Sequence, residues 1–224
     1  LKTGIWLGIE TSSTGGGAAL VEGGGSLIGE FILPIRASSS ERLLPSISDL
    51  LATTGLDGSS IAGIGVSVGP GSYTGLRIGV ATAMGLSAGW KVGVKGVSTL
   101  RALAFSCCST APVLAALRAR QGEVFAAVYA SSDPFSEALV EEGIYEAGSL
   151  AGALPSLRLG AAVGSGRSEL PRDGAIWVDP LADCPRPSGI AAIAARLAEA
   201  AGFDTALSPV YLRSFRQKAS PVVH

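Results

Sequence analysis

The stretch from Ile61 to Ala88 constrains this chain more than any other. An apolar, β-branched run from Ile61 to Val68 predicts a buried strand, and Gly69-Pro70-Gly71 breaks it with a tight turn. Ser72 or Thr74 is placed to cap the helix that follows by accepting a hydrogen bond from an orphan N–H. That helix, predicted to run to Gly89, carries a single charge, Arg77, between Leu76 and Ala88, so it lacks the wide polar face of a surface helix. It belongs in a core or against another protein. Gly75, Gly79, Ala83 and Ser87 recur every four residues as a groove of small side chains beside a ridge of Leu76, Val80 and Met84. Such a row lets a second helix approach closely; packing on a sheet of the same chain is the alternative.

An earlier segment supports the first reading. Leu43, Leu44, Ile47, Leu50 and Leu51 fall on one face at helical spacing, and Gly55 is placed to end that helix. Two strongly apolar helices tip the balance toward a subunit contact through Leu43, Leu44, Ile47, Leu50, Tyr73, Leu76, Gly79, Val80, Ala83 and Met84. Half of a standard patch, about 800 Å² per partner, would be enough for a stable interface. Pro45 predicts a kink, or a helix that begins later than the pattern.

Around these helices the chain reads as α/β. Ile5–Ile9 and Ala18–Val21 flank the polar turn Thr11 to Gly17 as a hairpin, and Ser26–Ile35 is a third, antiparallel strand. After the Gly75 helix come a strand over Lys91–Val94 and a helix from Ser98 to about Phe105. The second half repeats the theme in reduced form: strands Val113–Leu117 and Glu123–Ala130, weaker strands at Ile144, Leu157–Val163 and Ala175–Val178, and a last helix from Ser188 that Gly202 stops.

Composition removes several functional classes. A net charge of -1 gives no field to draw RNA or an anionic membrane, so tRNA contact would have to come through a partner. The mean hydropathy of +0.43 is high for a chain with 16% charged residues, which points to apolar surface covered by another subunit. The longest uncharged run, Gly58–Leu76, is broken by Gly69-Pro70-Gly71, so no transmembrane helix is expected. The first residues read as a buried strand rather than a signal peptide. Cys107, Cys108 and Cys184 make no disulfide framework and predict reduced thiols in a cytoplasmic protein.

Catalytic patterns fail on their context. Gly65-Val66-Ser67-Val68-Gly69 satisfies G-x-S-x-G, but Ser67 sits inside a strand and the one histidine is His224. A single histidine and three cysteines cannot build a zinc site, so no metal is expected. Glu10, Thr11 and Ser12, with the glycines after them, could cradle a phosphate through N–H groups and hydroxyls, and Gly69-Pro70-Gly71 before a helix could bind an anion. Neither stretch is a P-loop or G-x-G-x-x-G, and plain turn chemistry is the stronger reading, so no cofactor is expected. Arg101, Arg118, Arg120, Arg213, Arg216 and Lys218 read as solvated scatter rather than a patch.

Gly69-Pro70-Gly71-Ser72-Tyr73-Thr74-Gly75-Leu76-Arg77-Ile78-Gly79 resembles the signature of the TsaB (YeaZ) family, in which the aromatic is more often Phe. Ile9-Glu10-Thr11-Ser12 is similar to the family's opening I-D-T-S, Ser40-Glu41-Arg42-Leu43-Leu44-Pro45 to its first helix, and Gly96-Val97-Ser98-Thr99-Leu100 to the segment after the signature helix. Ala119 to Phe125 and Pro209 to Arg213 complete a resemblance that covers the chain nearly end to end. It implies an actin/sugar-kinase-like α/β fold of two lobes with the second reduced, over residues 1–106 and 107–224, with the last helix (about 188–202) packing back on the first lobe. It implies a non-catalytic scaffold in the synthesis of tRNA N6-threonylcarbamoyladenosine, paired with the catalytic subunit TsaD and joined by the ATPase TsaE, and a homodimer when alone. An ATPase or kinase-like enzyme of the same superfamily is the alternative. Glu10 in place of the family's Asp, and Arg118 where an Asp is expected, weaken any retained nucleotide or metal site. Ser39 also stands where the family often has His.

Overall fold

The computed structural model describes residues 4–13, 15–23, 25–34, 39–170 and 183–212, with side chains at 33, 34, 39 and 40 left aside. The expected strand at Ala175–Val178, Ile35, and the basic residues Arg213, Arg216 and Lys218 lie outside these, as does His224. The chain divides into two units, one of Leu1–Thr99 with Pro185–Val210, the other of Leu100–Cys184 with the residues after Val210.

The first unit is a five-stranded sheet in the order β3-β2-β1-β4-β5. β1 (Ile5–Glu10), β2 (Gly15–Glu22) and β3 (Leu27–Pro34) form the expected antiparallel meander, and β4 (Ile61–Gly69) lies parallel to β1. β5 (Gly93–Ser98) begins later and runs further than Lys91–Val94, because Lys91 is the left-handed cap of the preceding helix. On one face sit α1 (Ser39–Thr54), over β2 and β3, and α2 (Tyr73–Trp90), over β4. α1 runs through Pro45 rather than starting after it. The core between them holds Leu7, Ile9, Leu20, Ile64 and Val66 with Leu43 and Ile47 of α1 and Val80 of α2. Each such buried side chain contributes roughly 1.5–3 kcal/mol.

The other face takes α5 (Pro187–Ala201), which packs on β1, β2 and β4. Its approach explains the glycines of those strands. A Cβ on Gly8 would fall closer than 3.0 Å to the Pro187 carbonyl and to Ala191, and one on Gly65 would meet Ala194. Past Gly202 the chain follows the open edge of β5. Asp204 donates its N–H to the Val94 carbonyl at 2.9 Å, and its carboxylate takes the Gly96 N–H at 2.8 Å and Lys95 at 2.7 Å. Phe203 stacks on Trp6, and Val210 donates its N–H to the Val68 carbonyl at 2.6 Å.

The second unit has a four-stranded sheet, β8-β7-β6-β9. β6 (Val113–Arg120), β7 (Glu123–Tyr129) and β8 (Ala138–Glu146) are antiparallel neighbours, and β9 (Ala161–Val163) runs parallel to β6. α3 (Thr99–Phe105) and α4 (Ala147–Ala153) accompany them. β9 is shorter than expected because Leu157 ends a 3₁₀ turn from Leu154. The basic residues here are taken up locally. Arg101 donates to the Pro134 and Ser136 carbonyls and lies over the Tyr129 ring at 4.1 Å, Arg118 pairs with Glu169, and Arg120 is exposed. Cys107 and Cys108 are free thiols, and burial pushes the Cys107 thiol up to about 11. Among the described residues no helix is long and apolar enough to cross a membrane.

Candidate functional site: the Glu10 loop and the α2 helix

Glu10 ends β1 with no exposed surface. The chain turns back at once, and the Ser12 N–H and hydroxyl both donate to Glu10 Oε1 at 2.5 Å. The Thr11 N–H donates to Ser67 Oγ at 3.4 Å, which gives the serine of G-x-S-x-G a structural partner inside β4. Two buried side-chain atoms of this loop have no partner among the described residues: Glu10 Oε2 and Thr11 Oγ1. Burial raises the Glu10 carboxyl to about 7, against the opposing pull of the Ser12 hydrogen bonds.

The Gly69–Gly79 stretch is built onto this loop. Gly69 at φ +121° and Gly71 at +157° hold backbone that a side chain rarely adopts, with a cis Gly69-Pro70 bond between β4 and the turn. Ser72 donates its N–H to the Ser12 carbonyl at 2.7 Å and caps α2 by accepting the Gly75 N–H at 3.2 Å. Of the two capping candidates, Ser72 is the cap. A Cβ on Gly71 would strike Ser12, and one on Gly75 or Gly79 would come closer than 3.0 Å to Thr11. The row of small residues therefore faces inward and receives Thr11, which corrects its reading as an open groove for a foreign helix. Only the long-range pairing of β1 with β4 brings Thr11 there, and spacing along one helix carries no signal of it.

The ten residues expected at an interface divide accordingly. Leu43, Ile47, Leu76, Gly79, Val80 and Ala83 are buried within the first unit, and Leu50 is half-buried, its tip closing the space left by Gly29. Leu44, Tyr73 and Met84 are exposed. Sequence reasoning missed the rest of the outward face of α2, where Arg77, Ala81, Gly85 and Ala88 are exposed one turn apart. A Cβ at Gly85 or Gly89 would meet nothing within 4 Å, and the Arg77 guanidinium lies over the Tyr73 ring at 4.0 Å. The period of 3.6 residues, counted from Tyr73 instead of Gly75, is the signal that marks this face. Among the described residues no three His, Cys, Asp or Glu side chains are grouped to hold a metal ion.

A three-strand meander followed by parallel β4 and β5, with helices on both faces, places the chain in the actin/sugar-kinase-like class. A Pseudomonas aeruginosa structure described as an uncharacterized protein with similarity to peptidase YeaZ matches 94% of this chain and 100% of its own at a TM-score of 0.80 and 24% identity. Component A of the Acidaminococcus fermentans (R)-2-hydroxyglutaryl-CoA dehydratase shares the fold more distantly, at a TM-score of 0.55 and 13% identity over 88% of this chain and 100% of its own. The model of the family described as TsaD: tRNA N6-adenosine threonylcarbamoyltransferase matches residues 32–173. The Escherichia coli tRNA threonylcarbamoyladenosine biosynthesis protein TsaB is 41% identical over 93 residues, which are 40% of each chain. The match thus spans two fifths of that relative's length. The chain belongs to this family, and within it to the TsaB (YeaZ) group.

Proposed function

We propose that this protein is a non-catalytic subunit of tRNA N6-threonylcarbamoyladenosine synthesis that docks on a catalytic subunit of the TsaD type. The outward faces of α2 and α1 are the docking surface, through Tyr73, Arg77, Ala81, Met84 and Leu44. One observation carries this reading: the polar loop after β1 is spent on the chain's own α2, while the opposite face of that helix is exposed and carries one charge. The Thr11 and Ser12 N–H groups that would hold a phosphate are given to Ser67 and Glu10. The name borne by the Escherichia coli relative supplies the pathway, and an ATPase of the TsaE type joins the pair. Without its partner the chain uses the same faces on a second copy, and it meets tRNA through the complex.

Glu10 Oε2 and Thr11 Oγ1, buried without described partners, favour the second reading, an ATPase or kinase-like enzyme. Size-exclusion chromatography with a TsaD-type subunit tests the first. Met84→Glu or Ala81→Arg is expected to abolish co-elution while leaving the fold intact, and unchanged co-elution would refute the docking face. ATP turnover by the isolated chain that disappears in Thr11→Ala would establish the enzyme instead.

A further inference from the structure

The edges of the two sheets are not protected alike. The open edge of β5 is covered by Asp204, which bonds to Val94 and Gly96. The edge strand β8 carries Glu141, Glu142 and Glu146, and charges on an edge discourage pairing with another strand. β3 has neither device. It is an eight-residue edge strand whose one charged residue, Glu30, is turned inward to Arg186 and the Ser188 N–H, its side chain 4% exposed. Among the described residues, β2 alone reaches its backbone by hydrogen bonds. Leu27 and Ile32 stand on the Glu30 face at 53% and 48% exposure.

We propose that β3 pairs antiparallel with β3 of a second copy of this chain, joining two five-stranded sheets edge to edge about a two-fold axis at Phe31. The strand's own sequence argues for this occupant. With Phe31 opposite Phe31 of the second copy, the two rings form an aromatic cross-strand pair on the α1 side. Each exposed Ile32 then lies against the aliphatic stem of Glu30 in the other copy, whose charge Arg186 already neutralises. A register centred on Glu30 would set two carboxylates opposite each other, and one centred on Ile32 would shorten the overlap. An edge whose single charge is already paired within its own chain is complementary to a second copy of itself, and the high mean hydropathy of the chain fits such a contact. This contact is separate from the α2 face and does not rest on the docking reading.

Sedimentation velocity over a concentration series, on the full chain under reducing conditions, tests it. All proteins carry Met84→Glu, so that contacts through α2 are removed. The Met84→Glu protein is expected to self-associate, and adding Ile32→Lys or Leu27→Lys to raise the dissociation constant at least tenfold. A monomer at every concentration would overturn the proposal, as would association that both lysine variants leave unchanged. Hydrogen exchange on the Met84→Glu protein provides a readout that needs no change in β3: amides of β3 must gain protection as concentration rises, and β3 protection independent of concentration would equally refute the pairing.

Discussion

Replacing Glu10 by Gln removes a buried titration without removing the hydrogen bonds around it. The amide oxygen of Gln accepts from Ser12 as Glu10 Oε1 does, and the side chain can no longer ionise. In the folded protein burial raises the carboxyl from its ordinary 4.5 to about 7. The unfolded chain therefore gives up this proton first as pH rises, and the folded state holds more protons between the two values. Stability contributed by the neutral carboxyl is complete below 4.5, falls as pH climbs through the window, and is lost above about 7. At 1.36 kcal/mol per pH unit the full loss is about 3 kcal/mol, of which about 1 kcal/mol has gone by pH 5. Glu10→Gln should thus gain about 2 kcal/mol relative to the parent between pH 5 and pH 8. Urea unfolding at the two pH values, followed by the fluorescence of Trp6 and Trp90 in the first unit, measures the difference. Every other titrating group is common to both proteins and cancels. A stability difference that is the same at both pH values, or that shrinks at pH 8, would refute the account of Glu10 as a buried neutral acid.

The glycines of α2 should respond in opposite directions. Gly75→Ala drives a methyl group into Thr11 and is expected to cost about 1–3 kcal/mol, whereas Gly85→Ala points into open space and should gain up to about 1 kcal/mol from helix propensity; thermal unfolding of the pair reads both. Asp204→Ala removes the partner of the Gly96 N–H and Lys95, both at the edge of β5, and should cost about 1–2 kcal/mol with faster amide exchange at Gly96. Tyr129→Phe deletes a hydroxyl that donates to Glu142 at 2.6 Å while leaving the ring under Arg101, so a loss near 1 kcal/mol is expected in urea unfolding of the second unit.

Local signals predicted the elements they govern. The β1–β2 hairpin, β4, the Ser72 cap, α3 and the Gly202 stop of α5 follow from periodicity and turn chemistry that a few residues carry. The errors fall where local pattern is silent. β5 was displaced because Lys95 breaks its apolar run, and the partner that makes a lysine tolerable there, Asp204, is remote in sequence. β8 reduced to Ile144 because its glutamates mask the alternation, and α4 went unseen because Ala-Gly-Ser-Leu-Ala-Gly-Ala has too few large side chains to show a period. At the site, Glu10, Thr11 and Ser12 were recognisable as polar residues after a strand. Their burial was not, since it depends on Gly71, Gly75 and Gly79 arriving from β4 and α2.

The first unit is assembled from both ends of the described chain, with α5 and residues 203–210 completing a sheet whose strands come from the first hundred residues. A ribosome has therefore made every strand of that sheet long before the helix that covers its second face. The long segment of the second unit, Leu100–Cys184, is made in between, before α5. During synthesis, Gly8 and Gly65 therefore line an apolar face that stays uncovered until α5 has been made.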